Sequence, residues 1–79
     1  MEAKKVIVPR LAPNMESGVL VAWLKAEGDK VAAGDVLYEI ETDKVVSQIE
    51  AETEGELKRI IVDEGELVSP GQAVAEMLC

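Results

Sequence analysis

The sequence predicts an all-β fold, a flattened barrel or sandwich of two antiparallel sheets with a pseudo-two-fold internal repeat. Three observations support this prediction. The second half of the chain repeats the first half, the apolar runs are short and evenly spaced, and glycines stand between them. Short strands at regular spacing with turn residues between them are typical of β-sandwiches and small barrels. No ten-residue stretch of the sequence shows a clean helical period.

The repeat has an offset of 37 residues, the distance from Gly18 to Gly55. Six further identities share that offset: Leu20/Leu57, Glu27/Glu64, Gly28/Gly65, Val31/Val68, Gly34/Gly71 and Glu39/Glu76. A duplication inside a domain this small predicts two similar halves related by a pseudo-two-fold axis. By itself the repeat predicts the fold and not the function.

Six strands are predicted from runs of β-branched or apolar residues: Val6–Val8, Val19–Lys25, Val36–Glu41, Val45–Glu50, Glu56–Val62 and Ala73–Leu78. Very short linking strands are expected around Val31 and Val68. Glycine-containing turns separate the strands. Pro70-Gly71 and its counterpart Ala33-Gly34 suit the two central positions of a type II turn, the second of which requires positive φ.

The composition is that of one small domain, and it excludes several classes of function. A net charge of -8 has the wrong sign for nucleic acid or for an anionic membrane surface. The longest apolar run, Val19–Leu24, is far shorter than the ~20 residues of a membrane helix. Cys79 is the only cysteine and there is no histidine, which excludes an internal disulfide, a Ser-His-Asp triad and the usual zinc ligand sets. We therefore expect neither a metal site nor enzymatic activity from this domain alone.

The connection between the two halves, Glu41–Val45, does not follow the glycine pattern of the other turns. It joins two apolar runs closely enough for a tight hairpin centred on Asp43-Lys44. Such hairpins prefer Asn-Gly or Asp-Gly because primed turns need positive φ, so a lysine there is unusual. The 37-residue offset places Lys44 on Ile7, which predicts the hairpin at one end of the barrel and the chain termini at the other. On the residues alone, Lys44 is either a solubilising surface lysine or a modification site at a hairpin tip.

Glu41-Thr42-Asp43-Lys44 resembles the lipoyl-attachment motif of lipoyl domains, specifically those of the dihydrolipoyl acyltransferase components of 2-oxo acid dehydrogenase complexes. The resemblance covers roughly Lys5 to Leu78, and it includes these segments: Met15–Gly18, Trp23–Val31, Gly34–Leu37, Gly55, Glu64-Gly65 and Gly71. It implies one lipoyl domain over residues 1–79, expected to be the N-terminal part of a larger acyltransferase chain. Val45 and Ser47-Gln48 depart from the usual pattern, and they leave open which 2-oxo acid complex the domain serves.

The resemblance implies that Lys44 carries lipoic acid in amide linkage, attached by a lipoate ligase or lipoyl transferase. The arm would shuttle acyl groups and reducing equivalents between a thiamine-dependent 2-oxo acid decarboxylase, the acyltransferase core and dihydrolipoyl dehydrogenase. Asp43 is expected to position the hairpin. Recognition by partners is expected from residues around the tip: Leu11, Pro13, Met15, Glu41 and Val45. The isolated domain is expected to be a monomer, located in a bacterial cytoplasm or in the mitochondrial matrix.

The connection Pro9–Ser17 is expected beside the hairpin, where it either contacts the decarboxylase or simply covers the end of the barrel. Three alternatives for the whole domain stay open. A biotin carrier domain has the same fold, but that family places methionine on both sides of its lysine, where this chain has Asp43 and Val45. The glycine-cleavage carrier protein is longer. An unmodified barrel-sandwich module of an adaptor or transport protein would not need the sequence Glu41–Lys44 at the tip.

Overall fold

The computed structural model describes residues 2–11 and 13–79, in which the regular elements are all strands. In chain order they are β1 (Ala3–Ile7), β2 (Gly18–Trp23), β3 (Lys30–Val31), β4 (Val36–Thr42), β5 (Val45–Glu50), β6 (Gly55–Ile60), β7 (Leu67–Val68) and β8 (Ala73–Leu78). They form two antiparallel sheets of four strands. The strand order is β1-β8-β6-β3 in the first sheet and β5-β4-β2-β7 in the second. The predicted fold class is confirmed. Within the described residues no helix is long and apolar enough to cross a membrane.

The first strand is longer at its N-terminal end than the sequence predicted. β1 begins at Ala3, not Val6, because Ala3 and Lys4 pair with Leu78 and Met77 of β8. It is an edge strand with mostly exposed side chains, so no apolar alternation marks its start. β2 and β6 each end two residues earlier than expected, at Trp23 and Ile60.

The two sheets are related by two different offsets in the sequence. The 37-residue offset relates β2 to β6, β3 to β7 and β4 to β8. β1 corresponds to β5 with an offset of 43. Val8 donates to the carbonyl of Gln72 (2.9 Å) and Ala51 donates to the carbonyl of Asp35 (2.8 Å). Because Asp35 and Gln72 are equivalent under the 37-residue offset, Val8 and Ala51 are equivalent to each other. The placement of Lys44 on Ile7 is therefore wrong. The hairpin corresponds instead to the two chain ends, where β1 starts and β8 finishes.

The hairpin and the chain ends nevertheless lie at opposite ends of the molecule, as predicted. Glu2 and Cys79 are joined by two backbone hydrogen bonds of 3.2 and 3.0 Å. The Cys79 sulfur lies 3.6 Å from Oγ1 of Thr53, and Thr53 follows the end of β5 that is distant from the hairpin. β5 is six residues long, so its two ends are roughly 17–20 Å apart.

The core between the sheets is built from both halves, and its buried hydrophobic residues are Val8, Met15, Leu20, Val31, Leu37, Tyr38, Ile40, Ala51, Leu57, Val62, Val68, Val74, Ala75 and Met77. Tyr38 is the largest fully buried side chain, and its ring lies 5.1 Å from that of Trp23, centroid to centroid. Its counterpart in the other half is Ala75. The two halves therefore contribute side chains of different size at this equivalent core position.

Two glutamates connect the halves to each other. The Glu64 carboxylate accepts a hydrogen bond from the backbone N–H of Trp23 (2.7 Å), and Glu27 accepts one from Ile60 (2.8 Å). These are equivalent contacts under the 37-residue offset. Each carboxylate satisfies a backbone donor at the end of a long strand in the opposite half, which explains why glutamate recurs at both positions.

Candidate functional site

Lys44 lies on a two-residue hairpin loop between β4 and β5. Thr42 pairs with Val45, which leaves Asp43 and Lys44 as the loop. Their φ angles are 47° and 66°, and among the described residues they are the only non-glycine ones with positive φ. Positive φ at both central positions is the signature of a type I′ turn, whose twist matches that of the strands it joins. The turn therefore keeps the hairpin regular up to an exposed lysine.

The base of the hairpin is packed closely against β2. A Cβ added to Gly18, the first residue of β2, would lie 2.9 Å from both the Ile40 side chain and the Thr42 methyl group. A larger residue at position 18 would force these two side chains to shift. The hairpin thus combines a tightly packed root with an exposed tip.

The connection 9–17 lies beside the hairpin, as expected. A shallow pocket between them is lined by residues 14–17 on one side and by Thr42 and Asp43 on the other. The Arg10 guanidinium donates to the carbonyl oxygens of Met15 (2.9 Å) and Pro13 (3.4 Å), which folds the connection back on itself.

The structure separates the predicted recognition residues into two groups. Leu11 and Val45 are 37% and 59% exposed, and Pro13 and Glu41 are exposed as well. Met15 is only 7% exposed, and its sulfur lies 3.4 Å from the Leu11 nitrogen, which donates to it. So little exposed surface argues against the expectation that Met15 contacts a partner. Its side chain belongs to the core and anchors the connection 9–17.

The Lys44 amine is free within the described part of the chain. Residues 2–11 and 13–79 contain two ion pairs, Lys25–Asp35 (3.3 Å) and Arg59–Glu76 (3.1 Å), and the Lys44 side chain takes part in neither ion pairs nor hydrogen bonds there. An exposed primary amine at a hairpin tip suits amide formation with a carboxylic acid. Across those same residues, no cluster of three or more acidic or cysteine side chains could hold a metal ion.

Sequence reasoning missed the role of Arg10. The signal available was weak: one of only two arginines in an acidic chain stands inside a segment with two prolines. Its contacts to backbone carbonyls depend on the three-dimensional path of the connection, and no sequence spacing specifies that path.

Comparisons with known proteins agree on one family. The family model of biotinyl and lipoyl domains, described as "Biotin-requiring enzyme", matches residues 4–77. The mitochondrial pyruvate dehydrogenase protein X component of Mus musculus is 52% identical over 61 residues, 77% of this chain and 12% of that protein. The dihydrolipoyllysine-residue acetyltransferase component of the pyruvate dehydrogenase complex of Zymomonas mobilis is 46% identical over 74 residues, 92% of this chain and 17% of that protein. The chain thus spans less than a fifth of the length of these curated relatives.

Two solved structures resemble the chain closely. The lipoyl domain of the 2-oxoglutarate dehydrogenase complex from Azotobacter vinelandii has a TM-score of 0.76 and 28% identity, covering 94% of both chains. The urea carboxylase of Kluyveromyces lactis has a TM-score of 0.81 and 26% identity, covering 99% of this chain and 6% of that one.

Proposed function

The chain belongs to the family of biotin- and lipoyl-attachment domains, and we propose that it is a lipoyl domain whose Lys44 carries lipoic acid. The observation that carries the proposal is the exposed, unpaired Lys44 at the tip of a type I′ turn. Asp43 positions that turn. The domain is a carrier with no catalytic site of its own.

The chain's own residues present and orient the arm. Nζ of Lys44 first loses one proton to become a neutral amine. The amine then forms a bond to the activated lipoyl carbonyl carbon, the bond to the activating group breaks, and the nitrogen releases a second proton. Activation comes from the attaching enzyme, a lipoate ligase or lipoyl transferase. Once bound, the lipoyl group supplies acyl-transfer and redox chemistry through its two sulfur atoms. Tethering at the tip holds that group at high local concentration near successive active sites.

The partners we propose are the thiamine-dependent decarboxylase, the acyltransferase core and dihydrolipoyl dehydrogenase of a pyruvate dehydrogenase complex. The similarity to the Zymomonas mobilis acetyltransferase component and to the mouse protein X component supports this choice of complex. We place the domain at the N-terminal part of a larger acyltransferase chain, in a bacterial cytoplasm or in the mitochondrial matrix, since relatives of both kinds exist.

Recognition by the decarboxylase is proposed for the exposed residues next to the tip: Leu11, Pro13, Glu41 and Val45. Arg10 supports this surface because its hydrogen bond to the Met15 carbonyl links two parts of the connection beside the hairpin. Ordered contact residues lose less conformational entropy on binding than mobile ones.

Biotin on Lys44 is the second candidate, and the family description "Biotin-requiring enzyme" favours it. Asp43 and Val45, which flank the lysine, argue against it.

The test is co-expression with a lipoate ligase and lipoate, followed by intact mass and peptide mapping. We expect one lipoyl increment on the Lys44 peptide. Lys44→Ala should abolish it, whereas Lys58→Ala, which removes another exposed lysine, should not. Parallel co-expression with a biotin ligase decides between the candidates: biotin and no lipoate on Lys44 would reverse the assignment.

A further inference from the structure

A row of exposed side chains crosses the outer face of the second sheet directly beside the hairpin. Val46 pairs with Glu41, Glu41 with Val19, and Val19 with Leu67. Directly paired residues of antiparallel strands point to the same face of a sheet. These four residues therefore form one line from β5 to β7, called the outer row below.

The outer row is largely apolar although it faces solvent. Leu67 is 69% exposed, more than any other large hydrophobic residue among those described, and Val46 is 50% exposed. Glu41 is exposed and Val19 is half-buried. Four strands at a spacing of 4.7–4.9 Å give the row a length of about 14 Å, and it starts two residues from Lys44.

The internal symmetry shows that the fold does not require this apolar row. The equivalent positions in the first sheet pair in the same order and are Ala3, Leu78, Glu56 and Lys30. Lys30 thus stands where Leu67 stands in the second sheet, and Glu56 stands where Val19 does. The same architecture accepts charged side chains at these two positions of the first sheet. Folding alone therefore does not explain why the equivalent residues beside the hairpin are apolar.

We propose that the outer row is a docking surface for the thiamine-dependent decarboxylase, which presents apolar side chains around one lysine or arginine that pairs with Glu41. This inference rests on the proposed carrier function. Glu41 has no ion pair within residues 2–11 and 13–79, and amide formation removes the positive charge of Lys44. The modified tip therefore presents an unpaired carboxylate between apolar groups, and a cation supplied by the partner is its charge complement.

The size of the row favours the decarboxylase over the attaching enzyme. A single line of four side chains suits a small interface of the kind found in transient encounters. The decarboxylase must engage and release the domain in every catalytic cycle, whereas the attaching enzyme acts on each chain once.

The test uses variants of the lipoylated domain and the pyruvate decarboxylase component, with reductive acetylation of the arm as the measured reaction. Leu67→Lys introduces lysine, the residue type that the first sheet has at the equivalent position 30. Val46→Ala truncates the apolar side chain of the row that lies nearest the hairpin. Ile61→Lys is the matched control, since it makes the same change of character at a 42% exposed apolar residue outside the row. Lipoylation of every variant is first verified by intact mass, which separates failure of docking from failure of the carrier function.

We expect Leu67→Lys to raise the KM of the decarboxylase for the domain about tenfold, Val46→Ala to raise it about threefold, and Ile61→Lys to leave it within about twofold, with kcat little changed in all three. A KM unchanged in both row variants would overturn the proposal. An equally large increase in KM for Ile61→Lys would also overturn it. So would a loss of lipoylation in the row variants if the lipoylated molecules that remain have an unchanged KM.

Discussion

Asp43, immediately before Lys44, has a left-handed backbone conformation that costs an ordinary residue roughly 1–2 kcal/mol. Aspartate and asparagine tolerate this conformation better than other non-glycine residues do, and β-branched residues tolerate it least. The residue type at position 43 thus supports the turn directly. The sequence indicated a tight hairpin here, but it did not indicate that two residues with side chains would both adopt positive φ, because the preferred sequences for such turns end in glycine.

Asp43→Asn is expected to keep both the stability and the lipoylation of the domain, since asparagine also accepts positive φ. Asp43→Val should lower the free energy of unfolding by about 1–3 kcal/mol and slow lipoylation. Urea denaturation and the lipoylated fraction after timed incubation with ligase measure the two effects. If valine behaved like asparagine in both assays, Asp43 would have no positioning role.

Tyr38 is fully buried, and its hydroxyl is the one buried side-chain polar atom without a hydrogen-bond partner in the described residues. Burial disfavours the charged phenolate and raises the pKa of Tyr38 from 10.0 to about 12. The folded state therefore holds this proton more tightly than the unfolded state. The resulting stability is fully present below pH 10 and is lost as the pH rises toward 12.

Tyr38→Phe should remove that alkaline loss and leave the stability at neutral pH unchanged or up to about 1 kcal/mol higher, because an unsatisfied hydroxyl disappears. Urea denaturation followed by fluorescence of Trp23, at about pH 8 and about pH 11, measures both effects. A Tyr38→Phe variant that is destabilised at pH 8, or that loses as much stability at high pH as the parent, would contradict this view of the core.

At the scale of elements, the close approach of β2 to β4 and of β6 to β8 requires glycine at two equivalent positions. The sequence identified Gly18 and Gly55 as a repeated pair, but it attached no packing role to either. A Cβ at Gly18 would meet movable side-chain atoms of Ile40 and Thr42. At Gly55 it would overlap the backbone carbonyl oxygen of Leu78, which cannot move aside without disturbing β8.

Gly55→Ala is therefore expected to destabilise the domain more than Gly18→Ala does, by more than about 3 kcal/mol against about 1–3 kcal/mol. Thr42→Ser removes the methyl group that opposes a Cβ at position 18, so it should restore part of the loss in Gly18→Ala and none in Gly55→Ala. Thermal and urea unfolding of the single and double variants measure this. Equal losses at both glycines, or rescue at both, would contradict the packing argument.

At the scale of the whole molecule, the domain departs from symmetry mainly around the hairpin. The 37-residue offset was visible in the sequence because glycines and glutamates recur at turns. The 43-residue offset was not visible, because the segments Ala3–Val8 and Val46–Ala51 share no identical residue. Edge strands tolerate many side chains, so their sequences retain little trace of the pairing. The difference between the offsets lies in the connection 9–17, which is six residues longer than the equivalent connection 52–54.

A chain in which the short connection 52–54 is copied in place of 9–17 should still fold, because the other half of the molecule folds with that connection. We expect a loss of about 2–4 kcal/mol from the removal of buried Met15, with lipoylation retained and reductive acylation slowed at least about tenfold. Circular dichroism, intact mass and decarboxylase kinetics measure these three quantities. Unchanged acylation in the folded chimera would exclude the connection 9–17 from recognition.

Acceptance of an acyl group by a lipoyl arm on Lys44 distinguishes a carrier domain from a domain that is merely lipoylated. The lipoylated domain is incubated with the thiamine-dependent pyruvate decarboxylase component and pyruvate, and the acetyl groups bound to the domain are counted by intact mass. We expect about one acetyl group per lipoylated chain, located on the Lys44 peptide, and none on Lys44→Ala. A fully lipoylated domain that accepts no acetyl group from an active decarboxylase, or an acetylated Lys44→Ala, would contradict it.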